Sequence, residues 1–273
     1  RDDGPRLHQV AEGTSFDGRW ADLEPGGRQA ATTGYRRYAW TRTDHDLREW
    51  FAAECAARGL DLVEDRAGNQ WGWWGNPDTT PGVVIGSHLD SVRPGGRYDG
   101  ALGVLCALEV VRTVKDAELD LPVALEAVDF TDEEGTLIGL LGSWAMAGIL
   151  TKDILAVPRG GRELLVSELD RMGLTENGLL AAKRDPGSLA GYLELHIEQG
   201  PVLESEDLPL GVVLGTFGVE PSRLTWSGHA AASGSTPLYQ RPEALAAAAR
   251  VAPLIPWIAG AAGSSSARPA PVS

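Results

Sequence analysis

Gly82-Val-Val-Ile is apolar and β-branched after its glycine. That is the pattern of a strand buried on both faces. From Ala101 to Val114 apolar residues recur at helical spacing. Between the two lies a Gly/Pro-rich loop, so a strand ends, a loop crosses its carboxyl end and a helix begins. Pro122 to Phe130 forms a second strong strand that runs straight into Thr131-Asp-Glu-Glu-Gly135. Helical segments follow at roughly 142–149, 162–172 and 176–183. Tyr192-Leu-Glu-Leu-His-Ile-Glu-Gln199 alternates and reads as a third strand. Upstream, Thr43 or Asp44 caps a helix through Arg58, with Gly59 as its stop. Leu60 to Glu64 and Gln70 to Trp74 pair around a turn at Arg66-Ala-Gly-Asn69. Residues 1 to about 43 are rich in Gly, Arg and Thr and are expected to wrap the surface. Strands alternating with helices predict the α/β class, with a mostly parallel sheet and helices on both faces.

From Leu210 the pattern changes. Gly211-Val-Val-Leu-Gly-Thr-Phe and Ser222-Arg-Leu-Thr-Trp-Ser read as paired strands, and Pro242 to Ile255 as an Ala-rich helix. The expected domains are therefore 1–208, then the start of a second α+β unit over 209–258. Two strands and one helix are too few for a complete domain. Residues 259–273 are low in complexity, lack apolar periodicity and are expected to be disordered.

Composition narrows the partners. The net charge of −14 argues against nucleic acid and against an anionic membrane surface. No apolar run reaches the length of a membrane span, and Arg1-Asp-Asp-Gly-Pro does not read as a signal peptide. Cys55 and Cys106 lie in apolar helical stretches and read as buried reduced thiols, which predicts a cytoplasmic protein. Trp71, Trp73 and Trp74 sit on a predicted strand away from the polar motifs and are expected to pack.

Polar residues gather where the strands end. His88, Asp90 and Asp99 follow the first strand, Glu133 and Glu134 the second, and His196 lies in the third. The carboxyl edge of an open α/β sheet is where ligands bind. Imidazoles and carboxylates gathered there suit a divalent metal such as zinc, or manganese or cobalt. Two adjacent glutamates can divide the work, one ligating and one taking a proton from water. Asp90, two residues after His88, is placed to accept that ring's other N–H and fix its tautomer. Each feature also has a plain structural reading. His-x-Asp suits a capped turn, Glu-Glu a helix N-terminus, and His196 a satisfied core histidine.

The motifs taken in order resemble one family. Gly86-Ser-His-Leu-Asp-Ser-Val, Gly95-Gly-Arg-Tyr-Asp-Gly-Ala-Leu-Gly103, Asp132-Glu-Glu-Gly135 and Glu194-Leu-His-Ile-Glu-Gln-Gly-Pro201 are similar to those of the hydantoinase/carbamoylase amidohydrolases. That family includes N-carbamoyl-L-amino-acid hydrolases, allantoate amidohydrolases and β-ureidopropionases, within the wider dinuclear zinc exopeptidases. The resemblance implies a zinc exopeptidase-like fold and two zinc ions per subunit. It implies metal ligands at His88, Asp99 (bridging), Glu134 and His196, Glu133 as general base, and substrate contact at Gln199. The implied substrate is a small ureido or carbamoyl acid, and the implied assembly is a homodimer formed through an inserted lid. Gly228 to Leu238 resembles the start of that lid.

The chain departs from the family in places. The lid histidine falls on Ala232 and its following alanine on Ser233, with His229 three positions earlier as a possible substitute. Thr136-Leu-Ile-Gly139 stands where the family carries an arginine. The family continues past residue 273 to complete the lid and supply a last histidine ligand, so the chain reads as C-terminally truncated. Two alternatives stay open on these grounds: an inactive fragment, or a related dipeptidase.

Overall fold

The computed structural model describes residues 13–216, 224–232, 234–237, 240, 243–255 and 257–258. They fall into two compact units, Arg1–Pro209 and Leu210–Ser273.

In the first unit the elements run α1 (Gly13–Leu23), α2 (Arg42–Arg58), β1 (Asp61–Glu64), β2 (Gln70–Trp74), β3 (Gly82–Ser87), α3 (Ala101–Asp116) and β4 (Ala124–Asp129). Then come α4 (Leu141–Ala147), α5 (Lys152–Ala156), α6 (Arg162–Arg171), α7 (Glu176–Leu180), β5 (Leu189–Leu193) and α8 (Val202–Ser205). The cap of α2 is Thr41, earlier than the predicted Thr43 or Asp44. Its side chain accepts from the Asp44 amide, and Gly59 closes the helix at φ 62°. A left-handed residue there suits glycine.

The strands form one sheet in the order β1-β2-β4-β3-β5. β3 runs parallel to both β4 and β5, while β1–β2 and β2–β4 are antiparallel. The α/β class holds, and four of the five strands run the same way, with β2 alone reversed. The reason is local. Asp65 accepts from the amides of Ala67 and Asn69, the Asn69 side chain and the Trp71 indole. This closes a turn too short for the crossover that parallel strands require.

One face of the sheet packs under α1, α2 and α3. Leu23, Phe51, Cys55, Val104, Leu105 and Leu108 meet Leu125 and Ala127 there. The alternate residues Val84 and Val128 face the other side with Trp71 and Phe130, and Met146 of α4 packs against them. The tryptophans of β2 do pack, as expected. Glu126, also on this second side, is fully buried and takes a bidentate bond from Arg184 at 2.5 and 2.6 Å.

The third strand is shorter and earlier than the predicted 192–199. It spans Leu189–Leu193, with Ile85↔Leu193 as its last pair on β3. β3 has only Gly86 and Ser87 left beyond that point. Tyr192 donates to the Gly86 carbonyl and Ser87 to the Glu194 carboxylate, so side chains engage groups of the residues that would extend the ladder. His196 therefore lies in the loop after β5 rather than in a strand.

In the second unit, α9 spans Ala244–Val251, within the predicted helix. The predicted strands do not form over 211–216 or 224–227. Val212, Val213 and Leu214 are 76–97% exposed, and an isolated hairpin without an apolar partner is not stable. Residues 217–223 and Ser233 lie outside the described residues, as does the expected disordered tail at 259–273. No helix among the described residues is long and apolar enough to cross a membrane.

Candidate active site

β3 lies between β4 and β5, so three neighbouring parallel strands end side by side. Strand spacing of about 4.8 Å then brings their following loops within reach of one another. His88 comes one residue after β3, and Asp99 lies just before α3. The Gly100 between Asp99 and α3 has φ 65°, and a Cβ there would lie 2.4 Å from the His88 ring. Only glycine allows this approach. Gly103 lets the first turn of α3 sit against Ser87 and the Leu195 carbonyl.

The sequence-predicted ligands come together. Ligand atoms of His88, Asp99 and His196 lie within 4.8 Å of one another, as do those of His88, Glu133 and Glu134. His196 Nε2 is 3.2 Å from Asp99 Oδ1, and His88 Nε2 is 3.5 Å from Glu133 Oε2. The two imidazole centroids stand 6.2 Å apart. His88 and Asp99 are buried, Glu133 and Glu134 are half-buried, and His196 is exposed.

Asp90 faces the His88 ring with two oxygens. The His88 Nδ1 lies 3.0 Å from the Asp90 backbone oxygen and 3.4 Å from its carboxylate. That carboxylate accepts from the amides of Glu133 and Glu134, at 3.3 and 3.0 Å. Asp90 thus fixes the turn that carries both glutamates as well as crowding the imidazole. Gln199 donates to Asp99 Oδ2 at 2.7 Å, with its own backbone at φ 55°. Sequence reasoning assigned nothing to Glu194, which takes hydrogen bonds from Ser87 and Tyr192 and adds a further negative charge beside Glu133. It also overlooked Asp132 and Trp40, whose indole donates to the Asp132 carboxylate. The signal for Asp132 was present, since an acid immediately precedes the glutamate pair.

Electrostatics reflect crowding. Burial lowers the His88 pKa, but the Asp90 hydrogen bond and charge, with Glu133 and Glu134, reverse this and raise it to about 10. Burial pushes Glu134 up to about 7; His88 opposes this, and Asp99, Glu133 and Asp90 add to it. Glu133 is raised as well, chiefly by burial. The buried Asp99 Oδ1 has no hydrogen-bond partner, although it faces His196. Clustered carboxylates, an unpartnered carboxylate oxygen and two imidazoles at ligand spacing fit a divalent cation.

Residues 84–268 match Peptidase family M20/M25/M40. The chain belongs to that family. Its nearer likeness is to amidohydrolases. It is 39% identical over 237 residues to an N-carbamoyl-L-amino acid amidohydrolase of Geobacillus stearothermophilus, covering 85% of this chain and 58% of that protein. Allantoate deiminase 1 of Glycine max is 39% identical over 201 residues, 70% of this chain and 41% of that one. A hydantoinase/carbamoylase family amidase from Burkholderia ambifaria has a similar solved structure, with TM-score 0.69 and 33% identity. That match covers 92% of this chain and 62% of the amidase. The chain spans about half the length of the curated relatives it matches.

Proposed function

We propose that the chain carries the metal-binding half of an amidohydrolase site that hydrolyses a C–N bond in an N-carbamoyl amino acid or a ureido acid such as allantoate. The observation that carries this reading is the convergence of His88, Asp99 and His196 with Glu133 at the ends of three neighbouring strands. The likeness to N-carbamoyl amino acid and allantoate enzymes supports the substrate class. In this reading His88, Asp99, Glu134 and His196 would hold the zinc ions. A bound cation supplies Lewis acidity that polarises the substrate carbonyl and makes water reactive at neutral pH.

The remaining work falls to the chain's own residues. Glu133 accepts the proton of the attacking water on its carboxylate. A C–O bond forms at the carbonyl, the C–N bond breaks, and Glu133 delivers that proton to the departing nitrogen. Asp90 holds the Glu133 and Glu134 amides and so fixes the backbone that carries both side chains. Gln199, beside Asp99, is placed to meet the substrate.

The test uses the full chain, stripped with chelator and reloaded with zinc, manganese or cobalt. It is assayed on N-carbamoyl-L-amino acids, allantoate and dipeptides. Metal-dependent release of the free amine from a carbamoyl or ureido acid is expected. Cleavage of dipeptides alone overturns the substrate class. Binding of no metal overturns the reading of the site.

A further inference from the structure

The loop that carries Glu133 and Glu134 is built around a third carboxylate. Asp132 is 2% exposed. Its Oδ1 accepts from the Thr136 amide at 2.6 Å, and its Oδ2 from the Leu137 and Ile138 amides at 3.0 and 2.8 Å. The same Oδ2 accepts from the Trp40 indole at 2.9 Å, across 92 residues of sequence. The chain therefore curls around Asp132, and the Leu140 amide returns to the Glu133 carbonyl at 2.8 Å.

Trp40 is itself held from several sides. Its amide donates to Asp44 at 2.8 Å, its carbonyl accepts from Arg171, and its ring is buried. Trp40, Asp132 and Leu140 all have positive φ, at 72°, 50° and 59°. Non-glycine residues adopt that region where surrounding contacts impose it, and such positions cluster at functional sites.

We propose that Asp132 and Trp40 are positioning residues for the glutamate pair. Asp132 shapes the loop from behind, Asp90 grips its amides from the front, and Trp40 anchors Asp132 to the segment leading into α2. The proposal rests on the metal reading above.

Two variants test it. Trp40→Phe keeps an aromatic ring and removes only the indole donor. Asp132→Asn keeps one acceptor and replaces the other with an amide. Zinc alone is titrated calorimetrically into the chelator-stripped full chain and into each variant, at a temperature where circular dichroism shows all of them folded. Asp132→Asn is expected to lose zinc affinity about 10–100-fold, and Trp40→Phe to lose it measurably but by less. Hydrogen exchange should also quicken at the Glu133 and Glu134 amides, which bond to Asp90 and not to Asp132.

A purely structural role lowers the melting temperature without moving zinc affinity, and that result overturns the proposal. If Asp132→Asn does not fold, Trp40→Phe decides by the same criterion. A wild-type chain that binds no zinc overturns the metal reading instead. Exchange at Glu133 and Glu134 then decides positioning: retained protection in a folded variant overturns it, and lost protection supports it.

Discussion

In the proposed function, Glu133 is where chemistry and binding separate. It lies 3.5 Å from the His88 ring, and its amide rather than its carboxylate is held by Asp90. Glu133→Gln should therefore lower turnover by about 10²–10⁴-fold, the usual worth of a general base. Zinc content, read by elemental analysis, should stay at the wild-type value. Loss of metal along with activity would make Glu133 a ligand rather than a base. Asp129, deeper in the sheet, bears instead on how stability depends on pH. Burial pushes its pKa up to about 7; Arg48 opposes this, and Asp44 and Asp90 add to it. The folded state thus holds a proton that the unfolded state releases near pH 4. Its contribution is complete below pH 4 and is lost as pH rises through about 7. Asp129→Asn keeps an acceptor for the Leu89 amide, which now bonds Asp129 at 2.8 Å. It should flatten the fall in melting temperature between pH 4 and 7. An unchanged pH profile would show that Asp129 is charged in the fold.

At the scale of elements, much of the site was legible because β3, α3 and β4 are strongly patterned. Gly82-Val-Val-Ile and the apolar spacing of α3 place His88 and Asp99 at opposite ends of one loop. The glutamate pair follows directly from β4. What the pattern missed depends on pairing. Alternation at 192–199 reads as strand, but β3 supplies no ladder past Leu193, so His196 falls in a loop. The reversal of β2 was legible, since Leu60 to Glu64 and Gln70 to Trp74 read as a pair around a short turn. Direction came from Asp65, whose side chain closes the turn. Trp40 and Asp132 were not legible as a pair because nothing local in sequence relates residues so far apart. The edge element β5 is held partly by Arg184, whose Nε bonds Ser188 just before the strand while its other nitrogens clasp Glu126 of β4. Arg184→Ala leaves Glu126 buried without a counter-charge, which costs about 3–5 kcal/mol. Urea denaturation should show the midpoint fall accordingly. A change within about 1 kcal/mol would mean that water or another cation replaces the arginine.

For the molecule as a whole, the cation is expected to act as a structural tie. β5 is an exposed edge, with Tyr192 and Leu193 at 46% and 60% exposure, and Leu195 just beyond it is 40% exposed. The loop beyond it reaches the rest of the site through few polar contacts, chiefly His196 and Gln199 on Asp99 and Glu194 on Ser87. A ligand that binds only the folded state stabilises it by mass action, about 2.7 kcal/mol at a hundred times its Kd. For a chain of this size that corresponds to a rise of about 5–10 °C in melting temperature. Zinc added to chelator-stripped protein should produce such a rise, and chelator should reverse it. His196→Ala should remove most of the increment while lowering the metal-free melting temperature little, because the imidazole belongs to no core cluster and gives up chiefly its contact with Asp99. A full increment in His196→Ala would take His196 out of the ligand set and leave the cation on His88, Asp99 and the glutamates. No increment in the wild-type chain would mean that the carboxylates around His88 are balanced by protons alone, and the hydrolytic reading would fall with the metal.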